Sequence, residues 1–64
     1  MDKIIAYDKN GNVYYDYGCR KSNLVGRGSL VSASGNCIIY KNENRIYKAE
    51  LDCNGWIKSR GILH

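Results

Sequence analysis

Hydrophobic and polar positions alternate along this chain with the period of a β-strand. From residue 13 onward, one face receives the side chains of Val13, Tyr15 and Tyr17, and residues 46–51 alternate in the same manner. A period of two is typical of a sheet with one buried face. No long segment places apolar side chains at the spacing of an amphipathic helix, and a short helical turn at 19–24 is the one helical alternative. The pattern therefore predicts an all-β fold.

Turn-forming residues divide the chain at short, nearly regular intervals. Asn and Gly recur at 9–12, 33–36, 42–44 and 52–55, and a polar run marks a further turn at 20–23. Asn-Gly pairs supply the positive φ angles of tight hairpin turns. Between the turns lie about six predicted strands, at 3–8, 13–18, 24–31, 37–41, 45–51 and 56–63. Because these connections are too short for parallel crossovers, we expect one small domain, residues 1–64, built as an antiparallel meander.

The two halves of the chain carry a faint internal repeat. Residues 4–31 align with residues 37–64 at an offset of 33, with six identities in 28 ungapped pairs. The identical pairs are Ile5/Ile38, Tyr7/Tyr40, Tyr14/Tyr47, Arg27/Arg60, Gly28/Gly61 and Leu30/Leu63. Because they coincide with the strand pattern, each half is interpreted as a hairpin followed by a third strand. The repeat would place Tyr14 and Tyr47, and likewise Arg27 and Arg60, in equivalent positions on a symmetric surface.

Composition and charge indicate the class of partner. The chain lacks Pro and Phe but has six Tyr, and its formal net charge is +4. Residues 20–31 hold three cations and no acid. Such a modest basic surplus suits an acidic protein surface or nucleic acid. The abundance of Ile, Asn, Lys and Tyr is typical of AT-rich genomes and favours a bacterial, phage or mobile-element source.

The cellular setting is expected to be the cytoplasm. The apolar run at 4–6 is shorter than the core of a signal peptide, and no stretch approaches the roughly 20 apolar residues of a membrane span. Three cysteines without paired spacing agree with a reducing compartment. We therefore expect no association with a membrane.

Reactive side chains do not have the spacing of a metal or catalytic site. Cys19, Cys37 and Cys53 are separated by 18 and 16 residues, and His64 follows 11 residues later. Structural zinc sites use closely spaced ligand pairs, so the cysteines are interpreted as a small buried residue at Cys37 and two loop thiols. No Ser or Cys has an obvious base to activate it. The chain is therefore predicted to be no enzyme and to need no metal or cofactor.

The glycines at 26–29 superficially resemble a phosphate-binding loop. Such a loop requires a helix N-terminus after it, whereas the residues that follow 29 continue as a strand and a turn. Gly26 and Gly28 are therefore interpreted as a bulge or a tight bend in the third strand.

Tyrosine and basic residues form the one set suited to a function. The predicted macromolecule-binding residues are Tyr14, Tyr47, Arg27, Lys48, Lys58 and Arg60. They fit a small interaction protein, a bacterial or phage accessory protein that docks on another protein, since Tyr and Arg are enriched at interface hot spots. The alternative is a single-stranded nucleic-acid-binding β module, in which bases stack on aromatic rings. A third interpretation makes the tyrosines core residues and the cations a solvated face.

Two further expectations concern association and the single tryptophan. An open meander leaves its first and last strands unpaired, and such edges can pair with another chain, so a homodimer is a further expected partner. Trp56 follows an Asn-Gly turn and is either a core anchor or an exposed contact.

Overall fold

The computed structural model describes residues 4–63, and all their regular secondary structure is β. The strands are β1 (Ile4–Lys9), β2 (Asn12–Tyr17), β3 (Arg20–Arg27), β4 (Ser29–Ser34), β5 (Cys37–Asn42), β6 (Arg45–Leu51) and β7 (Ile57–Ile62). Strands β1 to β3 form one antiparallel sheet and β4 to β7 another, and within each sheet the strands lie in sequence order. The all-β meander is thus confirmed. Lys3, predicted to open the first strand, and His64 lie outside the described residues.

The predicted strand at 24–31 is two strands, because the backbone bends at Gly28. Strand β3 ends at Arg27 and pairs with β2, whereas β4 begins at Ser29 and pairs with β5. Gly28 has a φ of 126°, a conformation that side-chain-bearing residues rarely adopt. Beside it, the register between β2 and β3 shifts opposite Gly26. The interpretation of these glycines as a bulge and a bend is confirmed, and the bend adds a seventh strand.

The turn predicted at 20–23 is wrong by two residues. Tyr17 pairs with Arg20, so the chain reverses at Gly18 and Cys19, where Gly18 has a φ of 58°. Ser22 also has a positive φ, 56°, but it lies within β3 as an irregularity and donates its backbone N–H to Asp16. Gly accepts the left-handed conformation at less cost than Ser, which explains where the chain turns. The helical alternative at 19–24 is not adopted.

The core lies between the inner faces of the two sheets. The fully buried side chains are Val13, Tyr15 and Val25 from the first sheet and Ile38, Tyr40, Ala49 and Leu51 from the second. On one side of this sandwich β1 lies against β4, and the Asp8 carboxylate accepts the Leu30 N–H at 2.8 Å. With so few buried residues, fixed hydrogen bonds between the sheets add needed stability.

The loop between β6 and β7 is held against the first sheet by three such bonds. Tyr15 Oη donates to Gly55 O at 2.6 Å, Tyr17 Oη donates to Cys53 O at 2.9 Å, and Arg20 Nη2 donates to Asn54 O at 2.8 Å. Trp56 is the last residue of this loop and is 56% exposed, with the Arg20 guanidinium 3.8 Å from its ring centroid. Of the two alternatives for Trp56, the structure therefore supports an exposed position.

The repeat is visible in the two hairpins but not in the strands that follow them. An offset of 33 superposes the bounds of β1 on those of β5. Tyr7 pairs with Tyr14, and Tyr40 with Tyr47, and the rings of each pair stack at centroid distances of 5.8 and 5.2 Å. The third strands differ in register, since Arg27 pairs with Asn12 whereas Arg60 pairs with Ala49. The two arginines are therefore not equivalent.

The repeated hairpins bury opposite faces. The first hairpin turns Val13 and Tyr15 into the core and leaves the Tyr7–Tyr14 pair on its outer face. The second buries Ile38 and Tyr40, so its tyrosine pair faces inward. Tyr14 and Tyr47 consequently lie on different sides of the molecule, and the symmetric surface that the repeat suggested is wrong.

Gly28 makes the passage between the sheets possible. Its N–H donates to Gly11 O at 2.8 Å, and its Cα lies so close to β5 that an added Cβ would be 2.0 Å from the carbonyl oxygen of Lys41. A backbone atom cannot move aside as a flexible side chain can. Both the positive φ and the lack of a side chain are required here.

We predict that Gly28→Ala destabilises the protein by about 2 to 4 kcal/mol, through left-handed strain plus steric displacement of β5. Gly35→Ala is the matched control: its φ is 58°, but nothing lies within 4 Å of an added Cβ, so only the conformational cost of about 1 kcal/mol is expected. Urea unfolding followed by circular dichroism measures both. Equal losses for the two variants would contradict the steric explanation.

Candidate binding groove

A groove opens on the side of the sandwich where β3 and β7 form the sheet edges. Its volume is about 450 Å³. The second sheet contributes most of its lining. The residues around it are Gly26 and Arg27 of β3, Tyr40 and Asn42 of β5, Tyr47 of β6, and Arg60, Gly61 and Ile62 of β7. Because each sheet supplies one arginine, the groove depends on the packing of the two sheets.

The floor of the groove is the stacked pair of Tyr40 and Tyr47, whose rings are inclined by 16°. Tyr40 is only 3% exposed, whereas Tyr47 is half-buried. Gly26 provides the space above Tyr40, since a Cβ at that position would lie 2.7 Å from Tyr40 Oη. A side chain at position 26 would therefore occupy the space above Tyr40.

Arg60 spans the groove from one sheet to the other. Its Nη1 donates to the carbonyl oxygen of Val25, a residue of β3. Its positive charge and a hydrogen bond also act on the Tyr40 hydroxyl. Burial raises the pKa of Tyr40 above that of a free tyrosine, and the neighbouring Arg60 partly opposes this rise. Arg60 is therefore a fixed cation at the mouth of the groove.

Arg27 completes a positively charged site. It is exposed on β3, and within residues 4–63 no carboxylate forms an ion pair with either Arg27 or Arg60. No Asp or Glu lines the groove. Guanidinium groups present planar pairs of donors that match carboxylate and phosphate oxygens. The arrangement can therefore bind an anionic group beside an aromatic surface.

Three of the six predicted site residues meet in this groove, namely Tyr47, Arg27 and Arg60. The other three lie elsewhere. Tyr14 is on the outer face of the three-stranded sheet. Lys48 points away from the core, and its Nζ lies 3.8 Å from the Glu50 carboxylate. Lys58 is exposed at the register shift between β6 and β7.

Sequence reasoning missed five groove residues, namely Gly26, Tyr40, Asn42, Gly61 and Ile62. A signal for Tyr40 was present, because a two-residue turn at 43–44 pairs position 40 with position 47. No sequence signal placed Gly26 or Ile62 beside these tyrosines, since those contacts cross strands and sheets.

The cysteines and acids do not form a second centre. Cys19 and Cys53 are exposed and Cys37 is half-buried, and all three are free thiols. Over the described range, no group of three or more His, Cys, Asp or Glu residues could hold a metal ion. Residues 4–63 also contain no helix that is long and apolar enough to cross a membrane.

Comparisons with known proteins do not add a family. No protein-family model matches the chain, and neither the curated proteins nor the solved structures gave a significant match. The groove and the surface chemistry are therefore the basis for any assignment of function.

We predict that Tyr40 makes folding stability fall as the pH rises above about 10, the ordinary tyrosine pKa. Its pKa is raised in the folded state, so the unfolded chain loses this proton first and unfolding is favoured above that pH. Tyr40→Phe removes this contribution. Urea unfolding of both proteins between pH 8 and pH 11 should show a shallower loss for Tyr40→Phe, and parallel curves would contradict the assignment.

Proposed function

We propose that this chain is a small non-enzymatic binding protein that docks onto an acidic segment of another protein through the groove between β3 and β7. One observation carries the proposal: Arg27 and Arg60, held on different sheets, converge beside stacked tyrosines where no carboxylate lines the surface. Three free thiols support a reducing compartment such as the cytoplasm, and the abundance of Ile, Asn, Lys and Tyr supports a bacterial or phage accessory protein.

The chemistry of the lining supports binding. Its side chains offer phenol hydroxyls, guanidinium donors and one amide, but no nucleophile paired with a base. Tyr and Arg are also the residues that contribute most at protein interfaces, where they combine apolar contact with directed hydrogen bonds. An anionic protein segment would neutralise both arginines while covering Tyr47.

The strand edges beside the groove favour an extended segment. Strands β3 and β7 are edge strands, each hydrogen-bonded to one neighbour within its sheet. An extended peptide can add to such an edge through its backbone, with alternate side chains directed into the groove. Acidic side chains directed into the groove would then meet Arg60 and Arg27, which lie on its two sides.

Single-stranded nucleic acid is the second candidate, and the geometry favours it less. Binders of this type usually offer several aromatic faces along a basic path. In the groove Tyr40 is buried against Tyr47, which leaves bases one accessible ring. The other tyrosine pair lies beside an acid, since Tyr7 Oη is 3.5 Å from the Asp16 carboxylate. That negative charge would repel a phosphate backbone.

We expect a fluorescein-labelled peptide of alternating Glu and Val, twelve residues long, to bind more tightly than a labelled dodecamer of thymidine. In fluorescence anisotropy, Arg27→Glu should weaken peptide binding by at least about tenfold, because charge-assisted hydrogen bonds contribute about 1.5 to 3 kcal/mol. Lys21→Glu is the control, because Lys21 is an exposed cation of the same strand and lies outside the groove. This substitution changes the net charge by the same amount as Arg27→Glu.

The competing outcomes of this experiment are distinct. Tighter binding of the oligonucleotide, with an affinity that falls steeply between about 50 and 200 mM salt, would establish the nucleic-acid function instead. Equal losses for Arg27→Glu and Lys21→Glu would show that only net charge matters and would contradict a site in the groove. Affinity purification with the wild-type and Arg27→Glu proteins as baits, run side by side, would identify the natural partner as a protein retained by the wild type and lost with Arg27→Glu.

A further inference from the structure

The outer face of the three-stranded sheet is ordered into rows of different chemistry. Tyr7, Tyr14 and Leu24 pair across β1, β2 and β3 and form a central apolar row. On one side of it lies the row of Lys9 and Asn12, which ends at Arg27 in the groove, and on the other lies the row of Ile5 and Asp16. The face is therefore apolar in the middle, positive at one end and negative at the other.

Large apolar groups of this face are open to solvent. Leu24 is 59% exposed and Ile5 is 52% exposed, and the rings of Tyr7 and Tyr14 stack beside them. The core lies on the opposite side of the sheet, so no element among residues 4–63 covers the row. Contiguous apolar surface of this kind marks an association site in soluble proteins.

The direction of the two-fold axis determines which residues of two copies would face each other. A two-fold axis parallel to the strands would set the Lys9 end of one copy on the Lys9 end of the other. An axis along the apolar row instead reverses the strand direction and sets the Lys9 end against the Asp16 end. In that arrangement Tyr14 and Leu24 meet their own counterparts, and an isologous interface results.

The spacing of the sheet is suited to the contact. Packed sheets are about 10 Å apart and neighbouring strands about 4.8 Å apart, so a lysine side chain can reach an acid one strand away on the facing sheet. With the axis along the row, Lys9 lies over Ile5 of the second copy and one strand from its Asp16. Two such ion pairs form, one at each end of the interface.

We propose that the outer face of the three-stranded sheet binds a second copy of this chain, with the two-fold axis along the row of Tyr7, Tyr14 and Leu24. This face is self-complementary in charge, which is the reason to choose a second copy over another partner. Arg27 ends the Lys9 row and also lines the groove, so the dimer face and the groove meet at this residue. Lys9 and Leu24 do not line the groove, so substitutions at these two positions test self-association separately from the ligand proposed for the groove.

Sedimentation equilibrium between about 10 μM and 1 mM tests the proposal, a range chosen because small interfaces are weak. The wild-type protein should move from its monomer mass of 7.3 kDa to twice that value. Leu24→Lys should raise the dimer dissociation constant at least about tenfold, since each dimer buries two copies of Leu24. Lys9→Glu should also weaken the dimer, and added salt should weaken the wild-type dimer, whose Lys9–Asp16 pairs it screens, but not the Lys9→Glu dimer.

Val31→Lys is the matched control, because Val31 is 56% exposed on β4, a strand of the other sheet. It should dimerise as the wild type does. Amide resonances followed by NMR during dilution should shift at Ile5, Tyr7, Tyr14 and Leu24 and not at β4. A wild type that stays monomeric at 1 mM, or a dimer lost in Val31→Lys and retained in Leu24→Lys, would overturn the proposal.

Discussion

The close passage of Gly28 over β5 is the constraint on which the architecture depends. A chain of 64 residues has little apolar surface to bury, so its two sheets must approach closely with few connections. At Gly28 the backbone leaves one sheet and enters the other in contact with the Lys41 carbonyl, a distance that excludes any side chain. The bonds from Tyr15 and Tyr17 to the loop before β7 hold the sheets together elsewhere. These fixed points position β3 and β7 on either side of the groove.

Each half of the molecule contains one stacked tyrosine pair, and the two pairs have different roles. In each hairpin a short turn places two tyrosines opposite each other, and cross-strand proximity makes their rings stack. Which face of a hairpin is buried depends on where the other sheet lies, and that differs between the halves. Tyr40 therefore becomes part of the core and the groove floor, whereas Tyr7 remains on the surface. The two hairpins are therefore similar in sequence but bury opposite faces.

The two proposed surfaces differ in charge as well as position. The groove presents uncompensated guanidinium groups and suits an anionic partner, whereas the outer face carries both signs and suits a copy of itself. Each dimer would carry two grooves, one per copy, and each groove would meet the outer face at Arg27. A partner with two acidic segments would then bind with higher apparent affinity, provided that its linker spans the distance between them.

The sequence by itself determined the all-β class, the hairpins and the identity of the inward face of β2, because a period of two and Asn-Gly turns are local signals. It also predicted Arg27, Tyr47 and Arg60 as site residues, though on a symmetric surface that does not exist. Only the tertiary structure decided the bend at Gly28, the opposite burial of the two hairpins and the presence of Gly26 above Tyr40. Each of these depends on contacts between sheets. Residues far apart in sequence make those contacts, and a strand pattern does not encode which sheet will cover it.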